Sequence, residues 1–374
     1  MLNLLQLPIE LTIWWSAITI QVLFYILVFL RLNFIRPLRG IPEYLPPVSI
    51  IICAKNEAEN LRKHLKVVLI QQYKQYEVIV VNDQSTDHTA EVLVEFYQRN
   101  TNLKIVHIPP GTVKNLPGKK HALLKGIEAA SFETLVLTDA DCRPATAHWL
   151  AKLVGSYMHK TEIVLGHSPF EKESTFLNKI IRYENMMTAM LYFGFAKLGL
   201  PYMGVGRNLS YKKSVLQDFK SFETHKNIVS GDDDILVNTK ANSRNTEICI
   251  DKDAYTYSVA KKSMQDWLNQ KRRHLRAGFA YKWYHAALLF WFSLSQLAFY
   301  VGALWCGVAL SNILVVPITF TAILLLRMLI LWRISKKLVS ADLWLISPLL
   351  DLVYSLYLLL IFFLLLLQPK DKWT

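Results

Sequence analysis

Cysteine is scarce in this chain, and acid is in short supply. The 374 residues hold four cysteines, Cys53, Cys142, Cys249 and Cys306, without pair spacing and with one inside an apolar run. Neither a disulfide frame nor a zinc site is expected, and the thiols read as buried side chains in a reducing compartment. Asp and Glu number 29 against 42 Lys and Arg, a formal net charge of +13. No nucleic-acid-binding motif accompanies that excess, and many of the basic residues border hydrophobic runs. Charged lipid headgroups and phosphate-bearing substrates therefore explain the charge better than nucleic acid does. Two marks of a signal peptide are missing from the apolar run at residues 11–30. No basic stretch precedes it, and Arg31, Arg36 and Arg39 follow where a small-residue cleavage site would stand. Long apolar runs are absent from the middle, residues 36–284, which alternates as globular sequence does. A hydrophobic fraction of 52% and a mean hydropathy of +0.24 are nevertheless too high for a wholly soluble protein, so the ends are expected to sit in lipid.

Those ends contain four runs long enough to cross about 30 Å of hydrocarbon as helices: residues 11–30, 286–310, 313–332 and 343–367. Residues 1–35 then form an amino-terminal anchor, 36–284 a domain held between spans, and 285–374 a carboxy-terminal membrane region of about three spans. The arginines after the first run, and the cluster Arg333 to Lys337, place both of these segments on the cytoplasmic face of the cell membrane; Ser311 and Asn312 form an uncharged outer turn. Arg327 and Asp351 lie within apolar runs, where a lipid-facing charge is costly. They are expected to face each other, another helix or the aqueous boundary. Residues 36–47, with four prolines and a glycine, cannot continue a helix and read as a stiff linker.

From Val48 onward strands alternate with helices: strands at 48–53, 77–81, 103–107 and 134–139, helices at 59–72, 90–99 and 121–130. This predicts right-handed crossovers and an α/β, doubly wound, mostly parallel sheet. The fourth strand is an apolar run that ends in Asp139-Ala-Asp141. Open α/β sheets take their ligands at the carboxyl edge, and residues two apart on an extended segment point the same way. Both carboxylates can thus share one hard divalent cation together with phosphate oxygens. Taken alone, the pair is better explained by ordinary turn chemistry. Lys119 opens a helix and reads equally as a phosphate contact or an exposed helix-start lysine. Residues 176–200 read as an amphipathic helix at the membrane interface or as ordinary core, with nothing to choose between them. Asp232-Asp233-Asp234 precedes a helix-like stretch, and Gln270-Lys-Arg-Arg273 is strongly basic just before the membrane.

Val48-Ser-Ile-Ile-Ile with Asn56-Glu57, then Val80-Val-Asn-Asp-Gln-Ser-Thr-Asp87, then Gly118-Lys119, then Asp139-Ala-Asp141 resemble, in order and spacing, the nucleotide-binding half of the family 2 glycosyltransferases, a GT-A fold group. The resemblance extends to about Gly278, with residues 48–142 as the donor half and 143–284 as the acceptor half. It implies a UDP-sugar donor, with Asp83 facing the uracil, Asn56 and Glu57 beside the nucleotide, Asp139 toward ribose and metal, and Asp141 as ligand to Mg²⁺ or Mn²⁺. Asp232 or Asp233 would be the catalytic base, Asp233 being preferred, while Gln270 and Arg273 would steady the departing diphosphate. Two positions depart from the family pattern: Lys55 stands where Tyr is frequent, and His274 where Trp closes the Gln-x-x-Arg-Trp motif. The implied activity is inverting sugar transfer to a lipid or a growing glycan. A processive polysaccharide synthase and a non-catalytic sugar-nucleotide-binding subunit are the alternatives.

Overall fold

The computed structural model describes residues 8–114, 116, 118–216, 232–309 and 314–367. A seven-stranded sheet runs in the order β3-β2-β1-β4-β7-β6-β8. Its strands are β1 (Val48–Ala54), β2 (Tyr76–Asp83), β3 (Leu103–Ile108), β4 (Thr134–Asp139), β6 (Ile163–Leu165), β7 (Leu209–Lys212) and β8 (Thr246–Ile248); β5 (Arg143–Pro144) pairs with β9 (Thr256–Tyr257) in a small second sheet. Only β7 runs against the others, so the doubly wound, mostly parallel expectation holds. Near-continuous apolar sequence in β1, β2 and β4 matches the burial of both faces. The helices Ala58–Leu69, Thr89–Tyr97 and Lys120–Ala129 connect the first four strands. On the last of these, Gly126 lets the helix lie against the sheet, because a Cβ there would come within 2.6 Å of Ile51 Cγ2.

The helix Phe176–Lys197 decides one open question. It is core and not an interfacial surface helix: sixteen of its residues are buried, Arg182 and Glu184 among them, between the sheet and the apolar helices. Its two buried charges are tolerated because each finds a partner. Arg182 donates to both carboxylate oxygens of Asp342 (2.9 and 2.7 Å) and to the Val339 carbonyl (3.3 Å), while Glu184 takes Lys271 at 2.5 Å. Gly194 allows a close crossing, since a Cβ there would lie 2.4 Å from Val28 Cγ1 and 2.9 Å from the Val28 carbonyl.

Among the described residues three helical stretches are long and apolar enough to cross a membrane, Ile9–Phe34, Trp283–Ala309 and Val315–Lys337. The sequence predicted four. The fourth predicted run begins with a 3-10 turn at Ala341–Leu343 and continues as the 21-residue apolar helix Ser347–Leu367. The predicted outer turn at Ser311 and Asn312 falls outside the described residues. Arg327 and Asp351 do face each other, at 3.0 Å and about 4% exposure each. Asp351 also accepts from Tyr183 (3.1 Å), Gln296 (2.5 Å) and Tyr300 (2.8 Å), and the Arg327 guanidinium lies 4.1 Å from the Phe299 ring centroid. A buried ion pair in an apolar bundle needs such further contacts: hydrogen bonds satisfy Asp351, whereas Arg327 Nε and Nη2 have no hydrogen-bond partner among the described residues and the guanidinium rests on the aromatic face. At one end of the bundle Lys337 donates to the carbonyls of Leu32, Asn33 and Ile35 (2.8, 2.8 and 2.6 Å), which brings the basic ends of two apolar helices together beside the sheet domain.

Candidate active site

After β3 the chain crosses over β1 and β2 to reach β4, so the strand order reverses between β1 and β4. A crevice at the carboxyl ends follows from that reversal. Register places Cys53 at the end of β1 opposite Asp139 at the end of β4, and Ala54 opposite Asn82 of β2. The predicted donor residues therefore lie on one edge for a topological reason.

The turn after β1 and the loop after β2 are tied together. Asn56 adopts a left-handed backbone (φ 58°), which Asn tolerates better than most residues. Its amide donates to Ser85 Oγ (2.9 Å), and its side-chain oxygen accepts from the Thr86 amide (2.8 Å). Asp87 accepts from the amides of Ala58 (3.2 Å) and Thr89 (3.1 Å), the first residues of two helices. Burial works against its charge, but these bonds and the Thr89 hydroxyl outweigh that and hold its carboxyl below the ordinary value. Asn56 thus acts as a strut between loops, and Glu57 is carried toward the acids of β4. Burial first, and then the nearby carboxylates of Asp141 and Asp139, push Glu57 up, with Asn60 pulling the other way.

Asp83 ends β2 almost fully buried. One carboxylate oxygen takes Lys114 at 2.7 Å; the other, Oδ1, is buried and has no hydrogen-bond partner among the described residues. Such an orphaned acceptor suits an N–H donor from a ligand. Lys114 went unnoticed in the sequence, where it lies in a loop with no motif around it.

Lys119 reaches across to Asp139 and pairs with its Oδ1. Burial opposes both charges, yet the contact holds Asp139 below the ordinary carboxylate range and raises Lys119. Both side chains remain about one-third exposed, which marks a cleft that solvent enters. Asp141 accepts from the Cys142 thiol at 3.4 Å. Among the described residues no group of three or more ligating side chains gathers. The protein donor set here is two carboxylates, and a hard cation would complete its shell with water and diphosphate oxygens, the usual habit of Mg²⁺. Carboxylate oxygens are hard donors that suit such an ion, which would have to displace Lys119 from Asp139.

Asp233 closes the other side. It lies in the helix Asp232–Lys240 and accepts from the Gly206 amide. Gly206 is needed as a cradle, because a Cβ there would stand 2.7 Å from Asp233 Oδ2. Burial pushes the Asp233 carboxyl above its ordinary value, against the pull of Gly206 and Lys119. The helix is anchored through Asn238, which donates to the Tyr202 carbonyl (3.0 Å), meets His285 Nδ1 (3.1 Å) and accepts from the Lys282 amide (2.9 Å). The side chain of Asp232 lies outside the described residues.

Gln270, Arg273 and His274 are three and four residues apart on the helix Met264–Ala277, hence on one face. Its Trp267 is buried and stacks on Tyr357 (4.5 Å between ring centroids), which docks this helix on the membrane helices. His274 is exposed and senses Asp139, but partial loss of hydration, and then Lys271, Arg207 and Arg273, hold its imidazole below its ordinary value. It is therefore neutral at physiological pH. Arg207 is the second residue that the sequence did not reveal. Its guanidinium lies over the Phe170 ring at 4.5 Å, donates to Ser258, and adds positive charge near Asp139.

Comparison with known proteins agrees with this geometry. Residues 49–219 match the family model described as glycosyl transferase family 2. The chain is 30% identical to a poly-beta-1,6-N-acetyl-D-glucosamine synthase of Staphylococcus epidermidis over 37% of its own length and 32% of that protein. It is 31% identical to glycosyltransferase AglE of Haloferax volcanii over 50% of itself and 59% of that protein. It thus spans less than two thirds of either relative. Among solved structures, mannosyltransferase PcManGT from Pyrobaculum calidifontis, in complex with GDP-Man and Mn²⁺, superposes with a TM-score of 0.59 at 18% identity, covering 90% of this chain and 97% of that one, which establishes a shared GT-A fold. Residues 49–219 thus carry a glycosyl transferase family 2 domain by sequence.

Proposed function

We propose that the protein is a membrane-anchored, metal-dependent inverting glycosyltransferase that moves a sugar from a UDP-sugar to a lipid or glycan acceptor at the cytoplasmic face of the cell membrane. The observation that carries this reading is the meeting, at one sheet edge, of three features: a buried Asp83 with an open acceptor oxygen, the Asp139 and Asp141 pair, and Asp233 against Gly206. In this reading Asp83 Oδ1 accepts the imide N–H of uracil, and Lys114 holds the carboxylate in place. Asp139 and Asp141 would hold Mg²⁺ or Mn²⁺, which neutralises diphosphate charge as a Lewis acid. Lys119 exchanges Asp139 for a phosphate oxygen when the donor enters. Asp233 takes the proton of the acceptor hydroxyl as the new C–O bond forms at the anomeric carbon and the bond to phosphate breaks. Gln270 and Arg273 stabilise the UDP that leaves, and neutral His274 offers a hydrogen bond without adding charge. The shared fold of a protein solved with GDP-Man and Mn²⁺ supports the metal.

Likeness to a poly-beta-1,6-N-acetyl-D-glucosamine synthase favours, as a second reading, repeated transfer to a growing chain. Purified protein assayed across UDP-sugars and GDP-mannose, with lipid and oligosaccharide acceptors, tests both readings. A single-sugar product supports one transfer, a ladder supports the synthase, and no turnover with any donor defeats the enzyme reading.

A further inference from the structure

A second concavity has a volume of about 300 Å³. Its lining includes Phe170, Lys172, Arg182, Lys252, Lys336 and Asp342. Four cations face one carboxylate there, and that carboxylate is already engaged: Arg182 takes both Asp342 oxygens, and Lys172 lies 3.2 Å from one of them. Lys252 and Lys336 have no acidic partner among the described residues, and both are exposed. Positive charge in the pocket is therefore in excess.

The floor is rigid and shaped at some cost. Arg182 is 4% exposed, and its guanidinium is fixed by Asp342 and by the Val339 carbonyl. Val339 holds that carbonyl from a left-handed backbone (φ 55°), a conformation that a β-branched residue rarely adopts and that tends to persist at ligand clamps. Position points to the membrane surface. Lys336 ends the apolar helix Val315–Lys337 and lies 4.0 Å from the ring centroid of Trp332, which is 40% exposed; tryptophan beside lysine at a span end is the pattern of a lipid headgroup layer.

We propose that this pocket binds the phosphate headgroup of an anionic phospholipid and seats the sheet domain on the membrane surface. Phe170 forms part of its wall, and Arg207 of the catalytic cleft lies over the same ring, so a bound lipid would stand next to the active site without entering it. The inference rests on the membrane placement proposed above, which sedimentation of carbonate-washed membranes checks separately. Native mass spectrometry of the full-length chain released from micelles tests the pocket, with phosphatidylglycerol, phosphatidylcholine and inorganic phosphate as probes. Wild type should retain phosphatidylglycerol under conditions that strip phosphatidylcholine. The variant Lys252→Ala/Lys336→Ala should bind phosphatidylglycerol about 30-fold more weakly, the ratio expected for two lysines at a charged surface. The control Lys63→Ala/Lys125→Ala, altered at exposed lysines on other helices, should bind as wild type does. Both pocket lysines are exposed, so the melting temperature should hold; the single variant Lys252→Ala covers the case where it falls. Equal phosphatidylglycerol affinity in wild type and the double variant would overturn the proposal. So would equal retention of the two lipids, and displacement of lipid by inorganic phosphate at the same concentration would assign the pocket to a soluble ligand instead.

Discussion

At the scale of single residues, the proposed mechanism divides the carboxylates into a donor group and a base, and mutation should separate them. Asp141→Asn removes half of the two-carboxylate donor set and should abolish transfer. EDTA should do the same to wild type, reversibly on adding Mg²⁺ or Mn²⁺, and full activity in EDTA would remove the metal from the mechanism. Asp233→Asn should leave calorimetric affinity for the UDP-sugar nearly unchanged while the rate falls by about 10²- to 10⁴-fold, or about 3 to 5 kcal/mol of barrier. If Asp232→Asn proves the damaging change and Asp233→Asn is near wild type, the base is Asp232. Burial raises the Asp233 carboxyl, and a base works only when ionised. The rate should therefore rise with pH through that raised value, placing the acid limb above the range of an ordinary carboxylate, near 3.9 or so. A limb at or below that range would speak against Asp233. The Asp-rich motifs were visible in the sequence because their spacing is local. Lys114 and Arg207 were not, since each gains its meaning from a partner on a different loop, Asp83 for one and Phe170 with Ser258 for the other.

At the scale of elements, the helix Phe176–Lys197 joins the sheet domain to the membrane helices through Arg182 and Asp342. Hydrogen bonds from Arg182 hold the Asp342 carboxyl at about 2, below its ordinary 3.8. A depressed carboxyl contributes stability that is present above its unfolded value and is lost as pH falls through the folded one. The melting temperature of the detergent-solubilised protein should thus drop between about pH 4 and pH 2. Asp342→Asn should remove that dependence and leave Arg182 buried without its counter-charge, at a cost of about 3 kcal/mol. An unchanged melting profile in Asp342→Asn would mean that the joint lies elsewhere. The sequence could not choose between interfacial helix and core for this segment. Its few charges look equally at home facing water or facing partners, and Asp342 lies 160 residues away in the chain.

For the whole molecule, Lys337 ties the ends of the first and third apolar helices together on the side of the sheet domain. In the proposed topology the positive-charge distribution puts that side in the cytoplasm. Single cysteines introduced into a background free of native cysteine should, in whole cells, react with an impermeant reagent at position 311 and not at position 336. The reverse pattern would invert the assignment. Labelling at both would show that residues 315–337 do not span.

Sequence alone determined the class of the sheet, the positions of its first four strands along the chain, the edge that carries the acids and the presence of apolar helices at both ends. These are written in short-range periodicity and in motifs a few residues long, which a chain displays before it folds. Tertiary structure alone decided which charges are matched. Arg327 and Asp351 find one another across two helices, Lys119 rests on Asp139, and Arg182 fixes Asp342 at the floor of a basic pocket. A buried charge is stable only beside its partner, and no periodicity in the chain records where that partner will be.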